Sequence, residues 1–198
     1  MAPRDTKTAL LDLAQELAQT RGLNAFSFQD LAQGVGIRTA SVHHHFPTKA
    51  DLGRALMERY RATFRAELES ILERTRRAPR RLELFVELFR RTLRQGNRLC
   101  LCGMLATEYT TLPSPVQTEV RAFFDETEAW LARVLEDGRR TDSFRFEGSS
   151  ASVAKTLLAT LEGAMIAART FEDEKRLVRA ADWLLSSLVE RRPRNRAK

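Results

Sequence analysis

Apolar side chains recur at helical spacing along almost the whole chain, and this periodicity constrains the fold more than any other feature. Leu10, Leu13, Ala14 and Leu17 stand at positions i, i+3, i+4 and i+7, which places them on one face of an α-helix. Glycines and prolines fall largely between such segments, where they end helices. The sequence therefore predicts an all-α fold.

Three short helices are predicted at the N-terminus. Gly22 ends the first, as a glycine just past a helix C-terminus commonly does. Ser27 and Asp30 have the spacing of a capping box, so the second helix begins at Ser27. Gly36 can adopt a left-handed conformation, and a third short helix is predicted from about 38 to 45.

Longer helices are predicted after Pro47. Thr48 and Asp51 offer another capping box, and the helix that follows carries a long apolar stripe that Pro79 is expected to end. Further helical segments are predicted at about 81–94, 99–110, 114–137, 150–170 and 173–191.

The chain is basic, but the excess is unevenly distributed. Lys and Arg number 33 against 26 Asp and Glu, a formal net charge of +7 that favours an anionic partner. The charges nearly balance within residues 1–60, whereas basic side chains cluster at 74–81 and in the tail. Residues 192–198 have no apolar periodicity, so we expect a disordered, solvated tail, with non-specific phosphate contact as the alternative.

No apolar run in the sequence approaches the roughly 20 residues that span a bilayer, and no signal peptide is recognisable at the N-terminus. Cys100 and Cys102 are too close in sequence for an ordinary disulfide, which suits a reducing compartment. No glycine-rich cofactor loop is present, so no cofactor is expected. These features predict a cytoplasmic protein without a membrane partner.

Residues 26–52, FSFQDLAQGVGIRTASVHHHFPTKADL, closely resemble the signature of the TetR family of bacterial regulators. The order and spacing of the aromatic residues, the Gly-Val turn, the small-residue helix and the Lys-Asp-Leu segment all agree with that signature. The resemblance implies a helix-turn-helix DNA-binding domain at 1–47 and a helical effector-binding and dimerisation domain at 48–191. It also implies a homodimeric repressor that a small, apolar or electrophilic effector releases from a palindromic operator on double-stranded DNA.

The third helix is the expected DNA-reading element. In a helix-turn-helix the second helix of the motif enters the major groove with its N-terminal residues nearest the bases. Arg38 and Thr39 are therefore expected to reach base edges, while Ala40 and Ser41 keep the helix slim. Arg38 stands where the family usually has Ser, and a contact to phosphate alone is the alternative.

Four further residues are candidate phosphate contacts. Ser27 at a helix start and Lys49 at the next can bind phosphate, although capping alone also explains Ser27. His43 and His44 occupy the positions of the family's aromatic pair, where an imidazole can donate to phosphate. Consecutive histidines cannot converge on one ion, so no metal site is expected.

The resemblance also implies an effector pocket among the helices of the second domain. Its candidate residues combine aromatic, sulfur-containing and polar side chains, although most could simply belong to the core. They are Phe64, Phe85, Phe89, Cys100, Met104, Thr107, Glu108, Tyr109, Phe124 and Thr127.

The segment from Cys100 to Glu108 is similar to that of a subgroup of electrophile-sensing regulators, although Leu99 replaces the usual Gly. A thiol sensor is therefore an alternative function, and a buried thiol that only fills space is the other interpretation of Cys100. An enzyme with Cys100 as nucleophile is disfavoured because all three histidines lie in the DNA-binding segment. A DNA-binding architectural protein without an effector is a third class.

The last two helices carry long apolar stripes that suit a two-fold, four-helix dimer interface, as in the family, with packing inside one chain as the alternative. The candidate interface residues are Val153, Leu157, Leu161, Ala164, Ala168, Leu177, Ala181, Leu184 and Leu188.

Overall fold

The computed structural model describes residues 5–189, and within that range it contains only helices and connecting turns. The helices are α1 (Thr6–Arg21), α2 (Phe28–Val35), α3 (Thr39–His45), α4 (Lys49–Arg74), α5 (Ala78–Arg94), α6 (Leu101–Thr107), α7 (Ser114–Arg140), α8 (Ser150–Thr170) and α9 (Lys175–Leu188). A 3₁₀ turn at Tyr109–Thr111 follows α6. The predicted all-α fold is confirmed.

Several predicted helix boundaries need correction. Pro79 does not end α4, which stops at Arg74; it lies in the first turn of α5, where a missing backbone N–H leaves no helical hydrogen bond unmade. The helix predicted at 99–110 is α6, which stops at Thr107 before the chain tightens into the 3₁₀ turn. The last helix, predicted to end at 191, ends at Leu188, because the backbone of Val189 is extended. The predicted disordered tail lies outside the described residues.

The described residues form two compact units. The first contains the residues up to Glu67 together with Arg91–Glu126, and the second contains Leu68–Arg90 together with the residues from Thr127 onward. Helices α4, α5 and α7 therefore contribute residues to both units. The predicted division into a DNA-binding domain at 1–47 and an effector-binding domain at 48–191 stays a prediction.

The core of the first unit holds α1, α2 and α3 together. Leu10, Ala14, Leu31, Val42 and Phe46 are among its buried side chains, and α2 packs on both α1 and α3. Burial of a large apolar side chain stabilises a fold by about 1.5–3 kcal/mol. These contacts fix the relative orientation of the three short helices. The sequence alone predicts only which residues form them.

Two glycines permit this packing. A Cβ at Gly34 would lie 2.4 Å from Leu13 Cδ2, so the absence of a side chain allows α1 and α2 to approach closely. Gly36 has φ +78°, the left-handed conformation that ends α2, and its N–H donates to the carbonyl of Ala32 at 2.9 Å. The tight turn before α3 depends on this conformation.

The second unit is built around α8 and α9, which pack on each other. Leu157, Leu161 and Met165 of α8 are buried together with Leu177 and Leu184 of α9. By length and composition alone α8 could cross a membrane, since an 18-residue window has a mean hydropathy of 1.3. Only 33% of that window is buried within the chain, and one such helix is weak evidence for a membrane span.

Candidate nucleic-acid interface

Helix α3 presents a slim, exposed outer face. Val42 and Phe46 are buried and hold the helix to the first unit, and the Phe46 N–H donates to the Val42 carbonyl at 2.8 Å. Arg38, Ala40 and His44 are exposed on the other side. Thr39 and Ser41 are partly exposed. A short helix with this small outer face has the shape that the major groove admits.

The sequence predicts that α3 begins at about Arg38. In the structure the helix begins at Thr39, and Arg38 is its N-cap residue. Its backbone is extended, with φ −80° and ψ 146°, and its side chain makes no capping hydrogen bond. The guanidinium is therefore not committed to the end of its own helix. Arg38 is exposed, so its side chain is accessible from solvent.

The predicted capping box at the start of α2 is confirmed. The Ser27 N–H and hydroxyl both donate to Asp30 Oδ2, at 2.6 and 2.7 Å, and the Asp30 N–H donates to Ser27 Oγ at 3.2 Å. The hydrogen bonds from the Ser27 side chain and backbone lower the pKa of Asp30. Capping thus occupies the Ser27 hydroxyl, and its contact with phosphate stays a prediction.

A second capping box begins α4, also as predicted. The Thr48 hydroxyl donates to Asp51 Oδ2 at 2.6 Å, and the Asp51 N–H donates to Thr48 Oγ1 at 3.1 Å. Lys49 follows directly, and its ammonium donates to the Phe26 carbonyl and lies 3.7 Å from the Phe26 ring centroid. Burial lowers the pKa of Lys49, against the opposing effect of the Asp30 and Glu108 carboxylates.

The N-terminal ends of α2 and α4 line one surface cleft. The cleft has a volume of about 460 Å³, and its lining combines hydroxyl, ammonium and imidazole groups with aromatic rings. Its residues are Asn24, Phe26, Ser27, Phe28, His43, Pro47, Thr48 and Lys49. Helix N-termini and cationic side chains at one cleft favour an anion such as a DNA phosphate.

The histidines of α3 have different surroundings. His43 Nδ1 lies 3.4 Å from the Pro47 carbonyl, and its ring meets the Phe28 ring edge-on at 4.8 Å. The His44 and His45 rings are 5.6 Å apart. In the part of the chain that the structure describes, no group of three or more His, Cys, Asp or Glu side chains could hold a metal ion.

In the first unit, the predicted effector residues Phe64 and Cys100 lie beside Tyr60. The Phe64 ring stacks on Tyr60 at 6.3 Å and contacts Phe123 at 4.9 Å. The Tyr60 hydroxyl donates to Cys100 Sγ at 3.7 Å, and Cys100 is buried. Tyr60 and Phe123 were missed as site candidates, although Tyr60 belongs to the same helical stripe as Phe64.

The polar residues predicted for the effector pocket differ in whether their side chains already have hydrogen-bond partners within the protein. Thr107 is exposed, and its hydroxyl donates to the Met104 carbonyl at 2.7 Å. The Glu108 carboxylate accepts the backbone N–H of Leu23 at 2.8 Å, so it is engaged within the protein. The buried Tyr109 hydroxyl has no hydrogen-bond partner among the described residues. Met104 and Phe124, also predicted, are partly buried in this unit.

In the second unit, Phe85, Phe89 and Thr127 are buried as predicted for pocket or core residues. The Phe85 ring lies 5.3 Å from Phe89 and stacks on Trp130 at 5.6 Å. Trp130 is only 3% exposed, and its indole N–H has no hydrogen-bond partner among the described residues. Trp130 was missed, although it lies one helical turn from Thr127.

Most of the residues predicted for the dimer interface are buried within the single chain, and their contact with a second chain stays a prediction. They are Leu157, Leu161, Ala168, Leu177, Ala181, Leu184 and Leu188. Val153 and Ala164 are partly exposed. The same helices leave other apolar side chains exposed, namely Ile166 at 41% and Trp183 at 69%.

Two family models match the chain. One, described as "Bacterial regulatory proteins, tetR family", matches residues 10–56, and the other, "Tetracyclin repressor-like, C-terminal domain", matches residues 78–184. The crystal structure of a TetR-family transcriptional regulator from Agrobacterium tumefaciens is 31% identical. It superposes with a TM-score of 0.91 over 93% of this chain and 98% of that chain.

Two repressors are more distant relatives. The HTH-type transcriptional repressor DhaR of a Mycobacterium species is 24% identical over 167 residues, which cover 84% of this chain and 83% of DhaR. The HTH-type transcriptional repressor NemR of Escherichia coli is 25% identical over 179 residues, which cover 85% of this chain and 87% of NemR.

Replacement of Ser27 by Ala should lower the free energy of unfolding by about 1 kcal/mol, because the helix loses its N-cap. Gln29→Ala, an exposed change in the first turn of the same helix, should have little effect. Urea unfolding at neutral pH measures the free energy of unfolding of both variants.

The stabilisation that Asp30 gives to the folded protein is present above its unfolded-state pKa and is lost as pH falls through its lowered folded-state pKa. The difference between wild type and Ser27→Ala should therefore shrink in acid, and a difference that is constant with pH would contradict this account.

Proposed function

The chain belongs to the TetR family of bacterial regulatory proteins, and we propose that it is a repressor that a small molecule releases from a palindromic operator. The observation that carries this proposal is the exposed outer face of α3, anchored through Val42 and Phe46 within a segment that matches the family's DNA-binding model. The repressors DhaR and NemR support a DNA-binding repressor, and the family and these relatives are regulators rather than enzymes. Such a repressor would act in the cytoplasm, where the DNA is.

Arg38 is the residue that we propose for base recognition. It is exposed at the N-terminal end of α3, which lies nearest the base edges when such a helix enters the major groove. A guanidinium there can donate two hydrogen bonds to guanine O6 and N7. Thr39, Ala40 and Ser41 would line the same face, while Ser27, His43, His44 and Lys49 would contact phosphates.

We propose a dimer face on the exposed side of α8 and α9, in place of the buried stripes. Thr156, Ala159, Gly163 and Ile166 follow one another at spacings of three and four residues on α8 and carry no charge. Trp183 is the most exposed large apolar residue of α9. A two-fold dimer would present two α3 helices about 34–36 Å apart, one turn of DNA.

The proposed effector is small and mostly apolar, and it carries a hydrogen-bond acceptor. Phe85, Phe89 and Trp130 supply aromatic surface in the second unit, and the unpartnered Trp130 N–H supplies a donor. A buried donor without a partner costs about 1–3 kcal/mol, which a ligand acceptor would recover. An effector acts only if it prefers one conformation, and α4, which contributes to both units, is the helix that we expect to move.

A thiol sensor is the second candidate function. The Tyr60 hydroxyl donates to Cys100 Sγ, and such a donor stabilises the thiolate, which is the form that reacts with electrophiles. Cys100 is only 4% exposed, so a small reagent is required. A cysteine enzyme has weaker support, because every histidine of the chain lies in α3 and the partner of Cys100 is a tyrosine.

Replacing Arg38 by Ala should weaken binding to the operator by about 1–3 kcal/mol, and binding to random DNA much less, because the lost contact reads a base. The operator is first selected from upstream DNA by footprinting, and affinities are then measured at one salt concentration. Arg80→Ala, which removes the same charge from the exposed surface of α5, is the matched control. Equal losses on both DNAs would make Arg38 a phosphate contact.

Trp183→Glu should convert the dimer to a monomer and reduce operator affinity, because a carboxylate would be buried against the partner chain. Trp183→Phe keeps an aromatic surface and should remain dimeric. Light scattering gives the mass of each variant, and circular dichroism checks that the helices persist. A fully dimeric Trp183→Glu protein would place the interface elsewhere.

If Cys100 is a sensor, a small electrophile should lower the operator affinity of wild type and of Cys102→Ser, but not that of Cys100→Ser. Mass spectrometry confirms which sulfur is modified, and DNA binding is measured on the same samples. Unchanged affinity after complete modification of Cys100 would exclude thiol sensing and leave the non-covalent effector.

A further inference from the structure

The loop between α1 and α2 is bound by a carboxylate from a distant part of the sequence. The backbone N–H of Leu23 donates to Glu108 Oε2 at 2.8 Å, and that of Asn24 lies 3.4 Å from the same oxygen. Hydrogen bonds from backbone N–H groups to a charged carboxylate are about twice as strong as neutral ones. Glu108 is the C-cap residue of α6, so this contact joins α6 to the loop.

The loop has the shape that this carboxylate requires. Gly22 has φ +97°, a conformation that side chains disfavour, and a Cβ there would lie 2.3 Å from Glu108 Oε1. A residue other than glycine would therefore meet the carboxylate that its neighbours bind. Gly22 and Glu108 are complementary parts of one contact.

Other hydrogen bonds join the same two segments. The Asn24 side-chain amide donates to Thr111 Oγ1 at 2.9 Å, just beyond Glu108. Before α6, the Gln19 side-chain amide donates to the Leu99 carbonyl at 2.9 Å, and the Leu99 N–H donates to the Gln19 carbonyl at 3.2 Å. Hydrogen bonds thus join the residue before α6 to the end of α1, and the residues after α6 to the loop that follows α1.

The position of this loop affects the residues that read DNA. Leu23 is fully buried, and Ser27, three residues beyond Asn24, begins α2, which packs on α3. The Glu108 carboxylate also attracts Lys49, whose ammonium binds the Phe26 carbonyl before α2. A displacement of Glu108 would therefore remove the support of the segment from which α2 begins.

We propose that Glu108 is a positioning residue that couples α6 to the DNA-reading helices, an inference that rests on the proposed repressor function. The sequence places Glu108 in the effector pocket, whereas its contacts assign it to the loop that precedes α2. Cys100 and Glu108 are the N-cap and C-cap residues of the same helix, which has seven residues and a length of about 10 Å. A ligand or modification that shifts α6 at Cys100 would move Glu108 away from Leu23 and lower operator affinity.

The test compares Glu108→Ala, which lacks any acceptor, with Glu108→Gln, which keeps a neutral one. Glu108→Ala should weaken operator binding about tenfold, with a smaller loss on random DNA, and Glu108→Gln should fall between it and wild type. Amide hydrogen exchange at Leu23 and Asn24 should accelerate in the same order, while exchange at the core residue Leu31 stays slow. Thr118→Ala, an exposed residue of α7 whose hydroxyl donates only to the Ser114 carbonyl four residues earlier, is the matched control and should behave as wild type.

Each outcome bears on one proposal. If wild type shows no preference for any DNA sequence, the proposed function fails, and the hydrogen-exchange result still decides whether Glu108 holds the loop. If wild type prefers its operator and Glu108→Ala binds equally well, or loses affinity equally for all DNA, the coupling role is wrong. If Glu108→Ala does not fold, Glu108→Gln decides, because wild-type operator affinity and wild-type exchange in that variant would overturn the proposal.

Discussion

Burial of Val42 and Phe46 is the interaction on which the proposed DNA-reading surface depends. Helix α3 has seven residues and no side-chain cap at its start, and a helix of that length is not stable alone in water. Both side chains are almost completely buried, at 0% and 2% exposed. The core of the first unit therefore stabilises α3 through these two side chains. The residues on the outer face of the helix are not needed for packing, so an exposed Arg and small residues can occupy it.

Polar contacts complete this arrangement at the ends of the helices. The capping boxes at Ser27 and Thr48 satisfy backbone donors where α2 and α4 begin, and the Glu108 carboxylate binds the loop before α2. Each of these groups lies beside the candidate phosphate cleft or supports it. In the role proposed for it, the acidic Glu108 would favour DNA binding through the position of the loop, although its charge repels phosphate.

Helices α8 and α9 both have apolar residues in the core and apolar residues exposed on the surface. In α8, Leu161 and Met165 lie in the core, whereas Ile166 is exposed beside them. Because α8 has apolar or small residues on several faces, periodicity alone could not decide which face meets α9 and which meets a partner chain. The interface predicted from the longest stripe therefore corresponds to the core of the chain, and the proposed dimer face lies on the other side.

The sequence by itself determined the helical class and the helix-turn-helix with its two capping boxes, because these features depend on residues close together in the chain. Local spacing sets periodicity and caps without help from distant segments. Only the tertiary structure assigned Glu108 to the Leu23 loop, Tyr60 to Cys100 and Trp130 to Phe85. Those pairings join residues that are far apart in sequence, and a side chain's partner across such a distance is decided by how the helices pack.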